Sequence, residues 1–195
     1  HVPNFAQLKR SDPARVLPGY DYDVITEDAL LTRLNARGGR LVLPDGMNYR
    51  VLVLPDRDVI SLPVLRKLKS LVAAGATVIG PKPEQAAGLR DYPKSDGEIA
   101  RLAGELWADC DGQTVTEHRV GKGRVIWGRT ARDVLMADGI KPDFEFTSAD
   151  QRTALNYLHR RDGDIELYFV ANQSNRWEEA ECRFRVAGKL PELWD

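Results

Sequence analysis

The segment from residue 51 to residue 83 constrains the fold more than any other part of the chain. It contains two short, largely apolar runs: Val51 to Leu54, which is apolar throughout as a strand covered on both faces is, and Ala76 to Ile79, which is predicted to form the next strand. Between them, Ser61 can cap a helix that Gly75 ends. The predicted buried stripe of that helix consists of Leu62, Leu65, Leu68, Leu71 and Val72. A strand, a helix and a strand in this order predict parallel pairing through a right-handed crossover.

The residues before this segment show the same alternation of predicted strands and helices. Val24 and Ile25 are predicted to end a strand, and Thr26 is predicted to cap a helix that Gly38 ends. Leu41 to Leu43 form a further predicted strand. The expected fold class is therefore α/β, a flavodoxin-like doubly wound parallel sheet of the kind that class I amidotransferases share.

The residues after this segment predict a second domain. A helix is predicted beyond Pro93, then a β-hairpin that turns at Gly121 to Gly123, then a short helix within residues 130–140. Past these, only runs that alternate apolar and polar side chains remain, as in antiparallel strands. We therefore expect an α/β domain at residues 1–141, with its first strand missing, and a partial antiparallel β-sandwich at residues 142–195.

Composition excludes several classes of function. The 28 Lys and Arg residues balance 29 Asp and Glu residues, so no global field would attract nucleic acid or an anionic membrane. No apolar run approaches the roughly 20 residues that span a bilayer. The two cysteines, Cys110 and Cys182, have no metal-binding spacing, and we predict neither a metal nor a cofactor. Two separate thiols are favoured over a disulfide, and the oxidation state stays open.

Motifs for nucleophilic or phosphate chemistry are also missing. The run Gly80-Pro81-Lys82-Pro83 follows a predicted strand, where many α/β enzymes place a nucleophile, yet it offers none. No G-x-S-x-G elbow occurs in the sequence. Gly121-Lys122-Gly123 fits a hairpin turn better than a phosphate loop, and Asp111 fits an Asx turn better than a calcium loop.

Four carboxylates near predicted strand ends are the candidates for catalysis: Glu27, Asp28, Asp56 and Asp58. A glycosidase uses two such groups, about 5 to 9 Å apart, as acid and base or nucleophile. A simpler interpretation is favoured, in which Glu27 and Asp28 complement a helix dipole and Asp56 and Asp58 belong to a solvated turn.

Two further groups are candidates for binding a sugar. His159 and Arg160 end a predicted strand beside the Asp162-Gly163 turn and could bind a sugar or a carboxylate, although such clusters are more often polar strand ends. The tryptophans could stack on sugar rings, although core or interface positions are favoured. They are Trp107, Trp127, Trp177 and Trp194.

Five segments together resemble a known family. They are GYDYDVITEDALL, VLVLPDRDVISLPVLRKLKSLVAAGATVIGPKP, GKGRVIWG, HRRDGDIELYFVANQ and FRVAGKLPELWD. In this order they resemble the region downstream of the catalytic barrel in large bacterial glycoside hydrolases of the α-L-rhamnosidase type. The resemblance implies that the catalytic glutamates lie in that barrel and that Gly80-Pro81-Lys82-Pro83 is an amidotransferase-like elbow without its nucleophile. It also implies that loops at Asp21 and Asp23, or at His159 and Arg160, lie near the substrate.

Three hypotheses for function follow. In the first, the chain is a non-catalytic fragment of a rhamnosidase-like glycoside hydrolase that shapes the substrate cleft or mediates assembly. In the second it is a small glycosidase that uses a carboxylate pair, and in the third a carbohydrate-binding or oligomerisation module. The expected partners are carbohydrate, the catalytic barrel and a second copy paired through open strand edges. Nucleic acid and membranes are not expected, and the family implies a periplasmic or extracellular location.

Overall fold

The computed structural model describes residues 12, 15, 16, 19–89 and 91–194. These residues divide into two compact units. The first unit comprises residues 1–15 and 22–135, and the second comprises residues 16–21 and 136–195. The expectation about a missing first strand concerns residues 1–19, most of which lie outside the described residues.

Four helices and thirteen strands make up the described elements. The helices are α1 Glu27–Thr32, α2 Leu62–Ala73, α3 Lys94–Trp107 and α4 Ala131–Ala137. The strands of the first unit are β1 Asn35–Arg37, β2 Arg40–Val42, β3 Asn48–Tyr49, β4 Val51–Val53, β5 Val59–Ile60, β6 Thr77–Ile79, β7 Gln85–Ala86, β8 Glu117–Val120 and β9 Gly123–Ile126. Those of the second unit are β10 Phe144–Thr147, β11 Leu155–Asp162, β12 Ile165–Asn172 and β13 Glu181–Phe184.

The main sheet of the first unit has the strand order β4-β6-β9-β8. Strands β4, β6 and β9 are parallel, with Val53 opposite Ile79 and Ile79 opposite Ile126. The parallel pairing expected for the two apolar runs is therefore confirmed. Strand β8 runs antiparallel to β9 and closes the predicted hairpin, in which Val120 pairs with Gly123. The chain thus has a mixed α/β fold with several small sheets and no closed barrel among the described residues.

Helices α2 and α3 supply most of the core of the first unit. The Ser61 side chain caps α2 by accepting a hydrogen bond from the Val64 backbone N–H at 3.4 Å, as predicted. Leu65 and Leu68 on its apolar stripe are fully buried. On α3 the predicted face is also buried, and it consists of Ile99, Leu102, Ala103 and Leu106. The apolar spacing of both helices therefore identified the core correctly.

The prediction for the segment around Gly38 is wrong. Val24 and Ile25 lie in no strand, and α1 ends at Thr32 rather than continuing to Gly38. Gly38 and Gly39 both have positive φ, +59° and +73°, and form the turn of the β1–β2 hairpin. Two adjacent residues with positive φ are what a tight hairpin turn requires, and glycine adopts that conformation without strain.

The second unit consists of two antiparallel strand pairs, β10 with β13 and β11 with β12. Phe144 is fully buried, and its ring centroid lies 5.1 Å from that of Tyr157 and 5.4 Å from that of Phe184. The strands expected from the alternating pattern end at Phe184, because residues 185–194 belong to no strand. The β11–β12 hairpin exposes four large apolar side chains on one face: Leu158, Ile165, Leu167 and Phe169.

Candidate functional site

The strand end at Gly80 is sealed by backbone and side-chain contacts. A Cβ atom at residue 80 would lie 2.6 Å from Leu54 Cβ, so a nucleophilic side chain could not be placed there without a shift. The Gly80 carbonyl accepts a hydrogen bond from the indole N–H of Trp107 at 3.0 Å. Lys82 donates to the Ala108 carbonyl at 3.0 Å and satisfies the end of α3. This strand end therefore has a structural role in the first unit.

Glu27 and Asp28 occupy the first turn of α1, directly after the N-cap Thr26. Glu27 Oε1 accepts a hydrogen bond from the Ser61 hydroxyl at 2.6 Å, which links the start of α1 to the start of α2. Both residues are exposed. Their positions match the simpler interpretation, in which carboxylates stabilise the positive end of a helix dipole.

Asp56 and Asp58 lie in the exposed loop between β4 and β5. The Asp58 backbone carbonyl accepts hydrogen bonds from the Glu84 and Gln85 N–H groups, at 2.7 and 3.2 Å, next to the β5–β7 pair. This contact uses the backbone of Asp58 and leaves its carboxylate in solvent. The two residues therefore lie in a solvated turn, and the structure does not bring them into a buried acid and base pair.

Asp23, a binding candidate in the first unit, contacts a tyrosine. The Tyr49 hydroxyl donates a hydrogen bond to Asp23 Oδ2 at 2.8 Å. Burial of the tyrosine, followed by this hydrogen bond, raises the pKa of Tyr49 to about 12. Tyr49 therefore stays protonated and orients the Asp23 carboxylate. Asp21, the other candidate from this stretch, is exposed in the second unit.

One polar cluster of the second unit surrounds His159. Its Nδ1 lies 2.8 Å from Asp143 Oδ2, and its Nε2 lies 2.7 Å from Glu166 Oε2. The imidazole stacks on the Tyr168 ring with centroids 4.0 Å apart, and the Tyr168 hydroxyl donates to Asp143 Oδ1 at 2.9 Å. Arg185 also approaches Asp143 Oδ1, at 3.3 Å. The cluster thus links residues from β11 and β12 with residues flanking β10 and β13.

The geometry of this cluster limits its chemistry. Both contacts of His159 are hydrogen bonds only when both ring nitrogens carry a proton, because carboxylate oxygens only accept. A ring engaged at both nitrogens has no free atom that could take a proton from a substrate. Burial and the hydrogen bond to Asp143 raise the pKa of Tyr168, so its hydroxyl remains a donor to that carboxylate. The arrangement fits a structural role.

Sequence reasoning selected His159 and missed Asp143, Glu166 and Tyr168. The turn predicted at Asp162-Gly163 lies one residue further along, since Gly163 and Asp164 form a two-residue turn that pairs Asp162 with Ile165. Counting back from that pair puts Tyr168 directly opposite His159. Arg160, selected together with His159, points its guanidinium to the exposed side and donates to the His159 carbonyl at 3.2 Å.

Other predicted features have simpler structural roles. Asp111 Oδ1 accepts hydrogen bonds from three consecutive backbone N–H groups, those of Gln113, Thr114 and Val115, which confirms a local turn. These bonds lower the pKa of Asp111. Cys110 and Cys182 are free thiols. Within the described residues, no group of three or more His, Cys, Asp or Glu side chains could hold a metal ion. None of the described helices has the length and apolar character that a membrane span requires.

The tryptophans divide into two groups. Trp107 is fully buried and Trp127 is partly buried, as expected for core residues. Trp177 is 100% exposed and Trp194 is 82% exposed. Trp177 and Trp194 are therefore the tryptophans that the described part of the chain exposes most.

Comparisons with known proteins support the resemblance found in the sequence. A family model described as alpha-L-rhamnosidase, glycoside hydrolase family 106, matches residues 3–195. A protein of Formosa agariphila named "Putative beta-glucuronidase" is 35% identical over 176 residues, which are 90% of this chain and 14% of that protein. The solved structure of a rhamnosidase from Novosphingobium sp. PP1Y matches with a TM-score of 0.78 and 37% identity, over 91% of this chain and 17% of that one. The chain thus spans about one sixth or less of the length of these relatives.

Proposed function

Because this chain belongs to the alpha-L-rhamnosidase family of glycoside hydrolases over residues 3–195, we propose that it is a non-catalytic part of such an enzyme. In this role it supports the substrate cleft and mediates assembly with the rest of the enzyme. The observation that carries the proposal is the placement of the candidate carboxylates. All four are exposed, and each lies in a helix first turn or an open loop. They are Glu27, Asp28, Asp56 and Asp58.

Acid and base catalysis of glycoside hydrolysis places demands that these positions do not meet. A general acid needs a carboxyl whose pKa is raised, usually by burial, and a partner carboxylate facing it across the scissile bond. The first-turn pair, Glu27 and Asp28, is solvated, and Glu27 already accepts a hydrogen bond from Ser61 at 2.6 Å. The sealed strand end at Gly80 supports the same conclusion, since that position has no room for a nucleophilic side chain.

The exposed apolar face of the β11–β12 hairpin supports the assembly part of the proposal. Ile165 is 60% exposed and Phe169 is 68% exposed, and both lie on the same face of β12. Soluble proteins seldom expose several large apolar side chains side by side unless another surface covers them. We propose that another part of the enzyme covers this face, and that the isolated chain self-associates through it or through open strand edges.

Turnover by the purified chain on chromogenic aryl glycosides tests the catalytic part of the proposal. The panel includes α-L-rhamnosides and β-glucuronides, the substrates that the names of the two relatives indicate. We expect no turnover by a chain whose circular dichroism shows a folded α/β protein. Turnover that disappears in one or two of the variants Glu27→Ala, Asp28→Ala, Asp56→Ala and Asp58→Ala would identify a small glycosidase instead. Light scattering over a concentration series tests self-association, and a strict monomer would contradict it.

We also propose that the first unit is a flavodoxin-like, amidotransferase-like sheet and that the second is part of a β-sandwich. The three parallel strands β4, β6 and β9, with α2 and α3 in the connections between them, support the first assignment. A flavodoxin-like sheet needs a further parallel strand on the other edge of β4. An experimental structure of a longer segment of the protein would test this, and an antiparallel neighbour of β4 would contradict it.

A further inference from the structure

The loop between β12 and β13 presents an exposed aromatic ring beside a hollow. The hollow has a volume of about 310 Å³ and is lined by Asn172, Asn175, Arg176 and Trp177. Trp177 is 100% exposed, although tryptophan is among the side chains that gain most from burial. The hollow is shallow and open to solvent over most of its surface, so it offers a ligand one stacking face rather than an enclosing cavity.

The loop is held in place by a network of hydrogen bonds centred on Glu178. Only 6% of the Glu178 side chain is exposed. Its carboxylate accepts hydrogen bonds from the Ser174 hydroxyl at 2.9 Å, Arg176 Nε at 2.7 Å and the Thr153 hydroxyl at 2.6 Å. These bonds lower the pKa of Glu178 and keep it ionised. These hydrogen bonds fix the loop that carries Trp177, and such preorganisation reduces the conformational entropy lost when a ligand binds.

Most polar groups around the hollow are already engaged. Asn172 accepts hydrogen bonds from Ser174 and donates to the Arg176 carbonyl at 2.7 Å. The guanidinium of Arg176 pairs with Glu178 and with Asp150, whose Oδ2 lies 2.9 Å from Arg176 Nη1. Arg152 also pairs with Asp150, at 2.8 Å, so the two carboxylates and two guanidinium groups balance. Its remaining nitrogen, Nη2, is shielded from solvent and has no hydrogen-bond partner in the described part of the chain, so we assign no ligand contact to it.

Two groups remain available to a ligand. One is the indole face of Trp177, and the other is the side-chain amide of Asn175, which is exposed and makes no hydrogen bond to the described residues. An amide can donate to one hydroxyl and accept from another. With no uncompensated charge at the hollow, these two groups favour a neutral ligand that combines an apolar face with hydroxyl groups.

We propose that this hollow is a binding site for a neutral pyranose ring, which stacks its C–H face on Trp177 and exchanges hydrogen bonds with Asn175. The site is separate from the proposed non-catalytic role and does not depend on it. The carbohydrate class follows from the family to which the chain belongs, and the preference for a neutral sugar follows from the paired charge of Arg176. The carboxylate of an acidic sugar would find no unpaired cationic side chain in the hollow to form a salt bridge with.

Isothermal titration of the full chain with methyl α-L-rhamnopyranoside tests the site. We expect weak, saturable binding, as a single stacked ring with few hydrogen bonds provides. Trp177→Ala should weaken the affinity at least tenfold, and Asn175→Ala by about fivefold, the factor that corresponds to one neutral hydrogen bond. Trp194→Ala is the matched control, because this tryptophan is also exposed but lies on a segment without secondary structure, and it should leave the affinity unchanged.

Two further measurements separate the outcomes. Trp177→Phe keeps an aromatic face and should retain part of the affinity, which distinguishes stacking from a general effect on the loop. Methyl β-D-glucuronide should bind no better than the neutral sugar, and tighter binding of the acidic sugar would overturn the proposal. So would the absence of saturable binding, or equal binding by the Trp177→Ala variant.

Contact between two copies of the chain at this surface would give a different experimental result. If Trp177 becomes protected from acrylamide quenching as protein concentration rises, with no response to sugar, the hollow is an interface between copies and the proposal fails. Because this titration measures binding without turnover, its failure is distinguishable from failure of the proposed non-catalytic role, which the glycoside panel tests separately.

Discussion

The two units of this protein are held together by different interactions. The core of the first unit is apolar, and helices α2 and α3 pack Leu65, Leu68 and Trp107 out of contact with solvent. Among its described residues the second unit has one fully buried large side chain, Phe144, and it contains a network in which Asp143 contacts His159 and Tyr168. The comparison teaches that apolar spacing specifies the first unit, whereas the pairing of a few polar groups specifies the second.

The largest expected effect tests the apolar core of the first unit. Trp107→Ala removes a fully buried ring and its hydrogen bond to the Gly80 carbonyl. We expect a loss of about 3 to 5 kcal/mol in the free energy of unfolding, as for other buried Phe and Trp residues replaced by Ala. Urea denaturation followed by circular dichroism measures this loss. The control Trp194→Ala should change stability by less than about 0.5 kcal/mol. A loss below about 1 kcal/mol for Trp107→Ala would contradict the role of the apolar core.

The next effect tests the polar network of the second unit. Asp143→Asn removes the charged acceptor for His159, the Tyr168 hydroxyl and Arg185. We expect a loss of about 1.5 to 3 kcal/mol, the range for hydrogen bonds to charged groups. The control Asp162→Asn changes an exposed carboxylate at the end of β11 and should leave stability nearly unchanged. If the two variants unfold at the same urea concentration, the network does not stabilise the second unit.

A smaller effect tests a polar contact of the first unit, the N-cap of α2. Ser61→Ala removes the N-cap of α2 and the hydroxyl that donates to Glu27. We expect a loss of about 1 kcal/mol in the free energy of unfolding. Ser70 lies on the same helix, where its hydroxyl donates to the Lys67 carbonyl, so Ser70→Ala is the matched control and should cost less. A larger loss for Ser70→Ala would refute the capping role of Ser61.

The smallest effect depends on pH and concerns Asp150. Hydrogen bonds from Arg152, and the charge of Arg176, lower the pKa of Asp150 from 3.8 to about 2. A carboxyl whose pKa is lower in the folded state adds stability above its unfolded pKa, and this contribution disappears as pH falls through the folded pKa. Asp150→Asn should therefore lower the thermal midpoint slightly at about pH 6 and by much less at about pH 2. An equal shift at both pH values would mean that ionisation is not involved.

Much of the first unit could be predicted from the sequence. The parallel pairing of β4 with β6 and the Ser61 cap follow from local patterns, because strand burial and helix amphipathicity are encoded by the spacing of neighbouring residues. The Thr26 cap of α1 was predicted correctly, but the strand at Val24 and Ile25 and the helix end at Gly38 were not. A pair of glycines is compatible with both a helix end and a hairpin turn, and pairing of β1 with β2 decides between them.

The candidate site was predictable only in part. His159 was identified as a polar group at a strand end, but its partner Asp143 lies 16 residues away in sequence, directly before β10 of the other strand pair. The exposed Trp177 was likewise one of four equivalent tryptophans in the sequence. Its surroundings are set by Glu178 and Thr153, and the Thr153 contact spans 25 residues of sequence. Long-range contacts of this kind leave no periodic signal in a single sequence.

The sequence by itself determined the α/β class, the apolar helices and strands of the first unit, and the resemblance to a glycoside hydrolase family. These properties depend on local spacing, which is present in the order of the residues. Only the tertiary structure decided that the half-buried face of the β11–β12 hairpin is the one that carries His159 and Glu166, that Gly80 has no room for a side chain, and that Trp177 is exposed on a loop fixed by hydrogen bonds. Each of these depends on which distant residues pack together, and alternation along a strand shows its two faces without showing which face is covered.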